Sequence, residues 1–164
     1  MIGCGGRLRN VIEPRSGINV VAFCDPHAES VAEAQKRYGN HGKVYAHPEE
    51  LAADPDVQWV AIGSWNCQHK AHAVAALRAG KHVFCEKPLA TTLDDCLAIR
   101  DAVRASRRMF SFGLVMRYSP FYRKLKELLA AGTIGQVVSF EFNETLRFNH
   151  GGYFLGNWRR FRRN

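Results

Sequence analysis

The stretch VQWVAIGSWNCQHKAHAVAALRAGKHVFC, residues 57–85, decides the fold. It begins with an apolar run at 57–64, continues as an amphipathic segment at 68–80 that ends on glycine, and closes with a second apolar run at 81–85. Neither apolar run alternates with polar residues, which is typical of strands that helices cover on both faces. The stretch therefore predicts a strand, a helix and a second strand parallel to the first.

The same alternation continues on either side of this unit. Apolar runs predict strands at 18–25, 43–45 and 108–115, and helix-period segments predict helices at 26–39, 47–54 and 92–106. Thr92 is the predicted N-cap of the last of these helices. Strands that alternate with helices across short connections predict an α/β domain with a doubly wound parallel sheet.

The pattern changes after the last predicted strand. A longer helix with Pro120 near its start is followed by residues 137–148, in which apolar and polar residues alternate. Such alternation is typical of a half-buried strand in an antiparallel sheet. We therefore predict a first domain at 1–116 and the start of a second, differently built domain at 117–164.

Composition argues against several classes of protein. No apolar run approaches the roughly 18 residues that a membrane helix needs. The five cysteines are scattered singly, which favours a reducing, cytoplasmic setting and argues against a disulfide scaffold or a metal site. The net charge of +8 suits an anionic cofactor or substrate, whereas one basic end of the chain is weak support for nucleic-acid binding.

A glycine-rich loop, GCGGRL at 3–8, occupies the place where the first strand meets the first helix. Gly3 would form the tight turn and Gly5 would let the backbone approach a pyrophosphate. The third glycine of the six-residue fingerprint is replaced by Leu8, so the pattern is incomplete. Gly6 could loosen the loop and Arg7 could pair with phosphate in compensation.

Asp25 strengthens the interpretation of this loop as a cofactor site. It ends the next predicted strand, about 20 residues after Gly5, where an acid accepts hydrogen bonds from the adenosine ribose. An acid at this place disfavours a 2′-phosphate, so NAD is predicted in preference to NADP. The alternative is that Asp25 is only the N-cap of the helix that follows Pro26.

Local structure alone does not explain the two charged residues Glu86 and Lys87. Glu86 and Lys87 directly follow the buried strand in HVFCEKPLA, at the edge where ligands bind in parallel sheets. The plain alternative is that the two form a surface ion pair of little consequence.

His69 and His72 lie three residues apart on a predicted helix, but no third metal ligand is near, so packing or a cofactor-facing role is favoured for His69.

Several segments together resemble the Gfo/Idh/MocA family of NAD(P)-dependent oxidoreductases. They are GCGGR, the Cys-Asp pair that ends the second strand, SWNCQH at 64–69, AGKHVFCEKPLA at 79–90, RYSP at 117–120 and AAGTIGQV at 130–137. The resemblance covers essentially the whole chain, and the EKP segment is its most specific part. It implies a Rossmann-type domain followed by an α/β domain with an open, mostly antiparallel sheet, through which such proteins form homo-oligomers.

The resemblance also implies roles for individual residues. Lys87 would be catalytic, beside the nicotinamide and the reacting hydroxyl, with Glu86 positioning it and the Lys87–Pro88 bond often cis. Trp65 stands where proline is usual, so the shape of its loop is open. The implied cofactor-binding set is Gly3, Gly5, Gly6, Arg7, Asp25, Ser64, Asn66, His69, Glu86, Lys87 and Arg117, and a late pair, Trp158 and Arg159, would approach the site.

Both ends of the chain depart from the family pattern. Only Met1 and Ile2 precede the glycine loop, and the downstream stretch that carries a family histidine, the expected base, has no counterpart here. We therefore expect a longer natural protein, with an export signal ahead of Met1 left open, and a piece that is poorly stable and inactive by itself. Three functions remain: hydride transfer on a sugar or polyol hydroxyl, NAD-dependent glycoside cleavage, or dinucleotide binding without turnover.

Overall fold

A computed structural model describes residues 1–13, 17–39 and 41–145. Within these ranges the strands are β1 (Ala22–Phe23), β2 (Lys43–Val44), β3 (Trp59–Ile62), β4 (His82–Cys85) and β5 (Phe110–Phe112). The helices are α1 (Gly6–Val11), α2 (Ala28–Tyr38), α3 (Pro48–Ala53), α4 (His69–Arg78), α5 (Leu93–Ser106) and α6 (Pro120–Ala130). None of these helices has the length and apolarity needed to cross a bilayer.

All strand pairings among the described residues are parallel. β1 pairs with β2, and β4 pairs with both β3 and β5. Ile2 lies between the two groups, because its N–H donates to the Ala61 carbonyl at 2.8 Å and it also bridges Cys24. The resulting order is β2, β1, Ile2, β3, β4, β5, which confirms the predicted doubly wound sheet with the first strand position at its centre.

Helices cover both faces of this sheet. On one face, Leu8 of α1 and Val31 of α2 pack against Phe23. On the other face, α3, α4 and α5 contribute Leu51, Leu77 and Ile99 to a cluster that also holds alternate strand residues: Val60, Ile62, Val83 and Cys85. Burial on both faces explains why the strands are continuously apolar in sequence.

An apolar groove extends from Met1 toward the amino ends of the strands. It has a volume of about 670 Å³ and runs between the residues leading into β1 and those leading into β3, including Val20, Ala22, Trp59 and Ala61. Among the described residues, Met1 and Ile2 occupy the central strand position. Their backbones nevertheless make the ladder bonds of a parallel strand, since the Cys24 N–H donates to the Met1 carbonyl at 2.9 Å.

The chain divides into two compact units, Met1–Gly113 and Leu114–Asn164. Within the second unit, a 3₁₀ turn at Val115–Tyr118 precedes α6, and Gly132 and Gly135 adopt positive φ angles after the helix. The prediction of a strand at 137–148 is wrong for the part that is described, because residues 137–145 form no strand. A strand needs a hydrogen-bonded neighbour, and no described residue pairs with this segment. Trp158 and Arg159 lie outside the described residues.

Candidate active site

The loops that follow the strands collect at one edge of the first unit. Because the strands are parallel, their carboxyl ends share that edge, which is where ligands bind in doubly wound sheets. All predicted site residues except Arg117 lie in these loops or in the first turns of the helices that follow. They are Gly3, Gly5, Gly6, Arg7, Asp25, Ser64, Asn66, His69, Glu86 and Lys87.

The two outer glycines of the GCG loop have different reasons to be glycine. Gly3 has a φ of +81°, and a Cβ there would lie 2.5 Å from the Ser64 nitrogen and 2.6 Å from the Gly63 carbonyl carbon. Gly5 has an ordinary φ of −65°, and a Cβ there would meet no atom within 4 Å. Gly3 is therefore required by the fold, whereas the space above Gly5 is open for a ligand to approach the backbone.

Leu8 replaces the third fingerprint glycine without disturbing the packing of α1. Its side chain is completely buried, and it contacts the site of Gly63, where a Cβ would lie 2.5 Å from the Leu8 Cγ. The close approach of helix and sheet is thus achieved by a glycine on the strand side instead of the helix side. The sequence analysis missed Gly63, whose only signal was its place at the end of a predicted strand.

Asp25 binds the glycine loop and the start of α2 at the same time. Its Oδ2 accepts a hydrogen bond from the Cys4 N–H at 2.7 Å, and its Oδ1 accepts one from the His27 N–H at 2.8 Å. The N-cap residue of α2 is His27, so Asp25 is not itself the N-cap. Oδ1 also lies 3.3 Å from the His27 Nδ1, whereas Oδ2 has one lone-pair direction left with which it can accept a ribose hydroxyl.

Glu86 pairs with Arg7 and not with the side chain of Lys87. The Arg7 Nε donates to Glu86 Oε2 at 3.0 Å, and the backbone N–H of Lys87 donates to the same oxygen at 3.2 Å. Glu86 is almost completely buried, while the side chain of Lys87 is exposed and no described residue forms an ion pair with it. Glu86 and Lys87 therefore do not form the simple surface ion pair that was the alternative.

Two histidines of α4 hold the neighbouring loops. The His69 Nδ1 lies 2.7 Å from the Pro88 carbonyl oxygen, and its Nε2 lies 3.1 Å from the Ser64 carbonyl oxygen. The His72 Nδ1 lies 2.9 Å from the Ser64 Oγ, and burial lowers the pKa of His72. The Lys87–Pro88 bond is cis, as the resemblance implied. Among the described residues no His, Cys, Asp or Glu cluster has the form of a metal site.

The remaining predicted residues are less fixed by contacts. Asn66 begins a 3₁₀ turn at Asn66–Gln68 and is half-buried. Arg117 is exposed in the 3₁₀ turn of the second unit. Their cofactor-binding roles, and that of Ser64, stay predictions.

Three cysteines of the first unit are buried, which makes their thiols poor nucleophiles. Burial raises the pKa of Cys4 to about 11 and the pKa of Cys85 to about 12, and it also raises the pKa of Cys24. All five cysteines are free thiols. The three buried ones behave as small apolar side chains.

The family model described as an oxidoreductase family with an NAD-binding Rossmann fold matches residues 1–114. The chain belongs to the Gfo/Idh/MocA family. Inositol 2-dehydrogenase of Ralstonia nicotianae is 38% identical over 140 residues, which cover 82% of this chain and 42% of that protein. The enzyme of the same name from Gluconacetobacter diazotrophicus is 38% identical over 143 residues, which cover 84% and 42%. The chain thus spans about two fifths of the length of the curated relatives it matches.

Solved Gfo/Idh/MocA structures have the same fold. Myo-inositol dehydrogenase from Lactobacillus casei, in complex with NAD(H) and myo-inositol, superposes with a TM-score of 0.75 at 34% identity, covering 82% of this chain and 41% of that one. A probable dehydrogenase from Thermotoga maritima gives a TM-score of 0.65 at 33% identity, covering 71% and 35%. The first unit is therefore an NAD-binding Rossmann domain, as predicted.

The residues at the carboxyl edge fit a dinucleotide. Open space above Gly5 admits a phosphate, and the half-exposed guanidinium of Arg7 supplies positive charge beside it. The carboxylate of Asp25 lies at the end of the neighbouring strand position, and its side chain is 10% exposed. The open backbone at Gly5 and the guanidinium of Arg7 thus suit a pyrophosphate, and the carboxylate of Asp25 suits a ribose hydroxyl.

Proposed function

We propose that the protein containing this chain is an NAD-dependent oxidoreductase that acts on a hydroxyl-bearing carbon of a cyclic polyol or a related sugar. The observation that carries the proposal is the arrangement of Gly5, Arg7, Asp25 and Lys87 on adjoining loops at one sheet edge. Support for the substrate class comes from the names of the relatives, inositol 2-dehydrogenase and myo-inositol dehydrogenase. Support for NAD over NADP comes from the Asp25 carboxylate, which would repel a 2′-phosphate.

In this proposal the first unit binds the cofactor. The backbone at Gly3, Gly5 and Gly6, together with Arg7, would hold the pyrophosphate, and Asp25 would accept the ribose hydroxyls. Ser64 and Asn66, which follow β3, would line the nicotinamide side, and the buried His69 would act on the cofactor through the backbones that it contacts. When bound, the oxidised nicotinamide supplies an acceptor for a hydride.

Lys87 is assigned the catalytic role. Loss of hydride from a carbon requires its hydroxyl proton to leave as well, so a polar group must lie within about 2.6–3.2 Å of that oxygen. The exposed side chain of Lys87 emerges from the strand end, and its ammonium is not held by an ion pair with any described residue. Lys87 would orient the hydroxyl by hydrogen bonding, while the resemblance assigns proton removal to a histidine of the second domain.

The remaining proposals concern organisation. We assign residues 1–116 to the dinucleotide-binding domain and 117–164 to the start of a substrate and oligomerisation domain, with Arg117 near the cofactor. Homo-oligomers through the second domain follow from the family resemblance. Free cysteines support a reducing, cytoplasmic setting.

The test is a pair of measurements on the unmodified protein and on Lys87→Ala. Calorimetric titration should give micromolar or tighter NAD binding for both proteins, because Lys87 contributes to the reaction more than to cofactor affinity. Formation of NADH in the full-length protein with myo-inositol should fall by about 100-fold or more in Lys87→Ala, and Lys36→Ala, an exposed lysine of α2, should match the unmodified protein.

Each failure has its own meaning. Absence of NAD binding to the unmodified full-length protein would overturn the proposed function. Unchanged turnover in Lys87→Ala would remove Lys87 from catalysis. Cleavage of a glycoside in place of net formation of a ketone would support the glycosidase alternative.

A further inference from the structure

The carboxylate of Glu86 joins the glycine loop to the backbone that carries Lys87. Its Oε2 accepts hydrogen bonds from the Arg7 Nε at 3.0 Å and from the Lys87 N–H at 3.2 Å. The side chain of Glu86 is 3% exposed, whereas that of Arg7 is 51% exposed. Burying the Glu86 carboxylate without a cation would cost free energy, so the ion pair holds the Arg7 guanidinium at this position.

Arg7 keeps its outer nitrogens free while it holds Glu86. A guanidinium has five N–H donors in a fixed fork, and the bond to Glu86 uses only the Nε–H. No described residue accepts a hydrogen bond from the two terminal nitrogens of Arg7. That exposed fork is suited to an anion with paired oxygens such as a pyrophosphate.

Gly113 packs against Glu86. A Cβ at Gly113 would lie 3.1 Å from the Glu86 Cα and 3.2 Å from its Oε1, so the strand end after β5 packs directly on the glutamate. Oε1 is buried and has no hydrogen-bond partner. The carboxylate therefore cannot retreat from Arg7 without a shift of Gly113 or of the Lys87 peptide.

We propose that Glu86 is a positioning residue that couples the binding of the cofactor pyrophosphate at Arg7 to the placement of the Lys87 backbone. This inference rests on the proposed NAD site. An anion bound by the outer nitrogens fixes the guanidinium, the guanidinium fixes Oε2, and Oε2 fixes the Lys87 N–H. Loss of either charged partner therefore affects both ends of the connection.

The test is a double-mutant cycle with NAD as the probe. Arg7→Gln should weaken NAD binding about tenfold and Glu86→Gln by a similar factor. The double variant should also be about tenfold weaker, because the second substitution removes an interaction that is already lost. Arg100→Gln is the control and should leave NAD binding unchanged, since Arg100 is an exposed residue of α5 that pairs with Asp101, away from the glycine loop.

A second measurement reports the Lys87 end of the connection without any ligand. In ¹⁵N-labelled protein, Arg7→Gln should shift the Lys87 amide resonance and increase its exchange with solvent, while Arg100→Gln should leave both unchanged. This measurement does not need Glu86 to be replaced, so it remains decisive even where Glu86→Gln does not fold.

The outcomes separate the two proposals. A full-length protein that binds no NAD overturns the proposed function and the coupling to the cofactor. Only the positioning role of Glu86 is overturned if the protein binds NAD but the double variant binds it about 100-fold more weakly, the product of the two single effects. The same conclusion follows if the Lys87 amide resonance does not change in Arg7→Gln.

Discussion

The ring of His69 lies between the Pro88 and Ser64 carbonyl oxygens, at 2.7 Å from its Nδ1 and 3.1 Å from its Nε2. It thereby joins the loop after β3 to the turn after β4. Because His69 is 1% exposed, its influence on a ligand must pass through those two backbones. His69 is thus placed to fix the positions of these two loops without contacting a ligand itself.

His69→Ala should destabilise the first unit by about 2–4 kcal/mol, because it leaves a cavity and removes the ring that contacts the Pro88 and Ser64 carbonyl oxygens. Urea denaturation followed by circular dichroism measures this change. His41→Ala, at an exposed position, should stay within about 0.5 kcal/mol of the unmodified chain. Equal stability of the two variants would contradict the tethering role of His69.

Gly3→Ala and Gly5→Ala should separate folding from cofactor binding. Gly3→Ala should cost about 3 kcal/mol or more, because of its positive φ and the backbone of Gly63 and Ser64 at the Cβ position. Gly5→Ala should melt like the unmodified chain yet bind NAD at least about tenfold more weakly, since a methyl group would occupy the approach to the backbone. Thermal melts and NAD titrations on both variants are needed. Normal NAD binding by Gly5→Ala would place the phosphates elsewhere.

Asp25→Asn should narrow the preference for NAD over NADP. The carboxylate repels a 2′-phosphate, so the unmodified chain should favour NAD by about tenfold or more, and the neutral amide should reduce this to about threefold. Competitive titration with the two cofactors measures the ratio. Asp101→Asn, an exposed residue paired with Arg100, is the control that should leave the ratio unchanged.

Stability should fall as the pH falls below 6.5 because of His72. Burial lowers the pKa of His72 from the usual value of 6.5; Glu49 opposes this with a smaller effect, and His69 lowers the pKa slightly further. The unfolded chain then binds the proton first, so the stabilisation is complete above pH 6.5 and is lost progressively below it. Denaturation of the unmodified chain and of His72→Gln between about pH 5 and 7 tests this, since most carboxylates titrate lower. A slope that persists unchanged in His72→Gln would assign it to another group.

Local features were predictable where neighbouring residues alone decide them. Thr92 caps α5 through a hydrogen bond that its side chain accepts from the Asp95 N–H, and Gly39 ends α2 in the left-handed conformation. Both follow from backbone groups within a few positions in the chain. The strand at 137–148 was predicted from alternation, which describes one face of a strand but supplies no neighbour for it.

The sequence by itself determined the alternating α/β order, the parallel sheet and the edge at which Asp25 and Lys87 appear, because periodicity and strand direction are local properties. Only the tertiary structure decided which groups meet across that edge. It paired Glu86 with Arg7, 79 residues away, and put Gly63 where Leu8 needs room. Such pairings depend on distances between loops from different strands, which no spacing along the chain encodes.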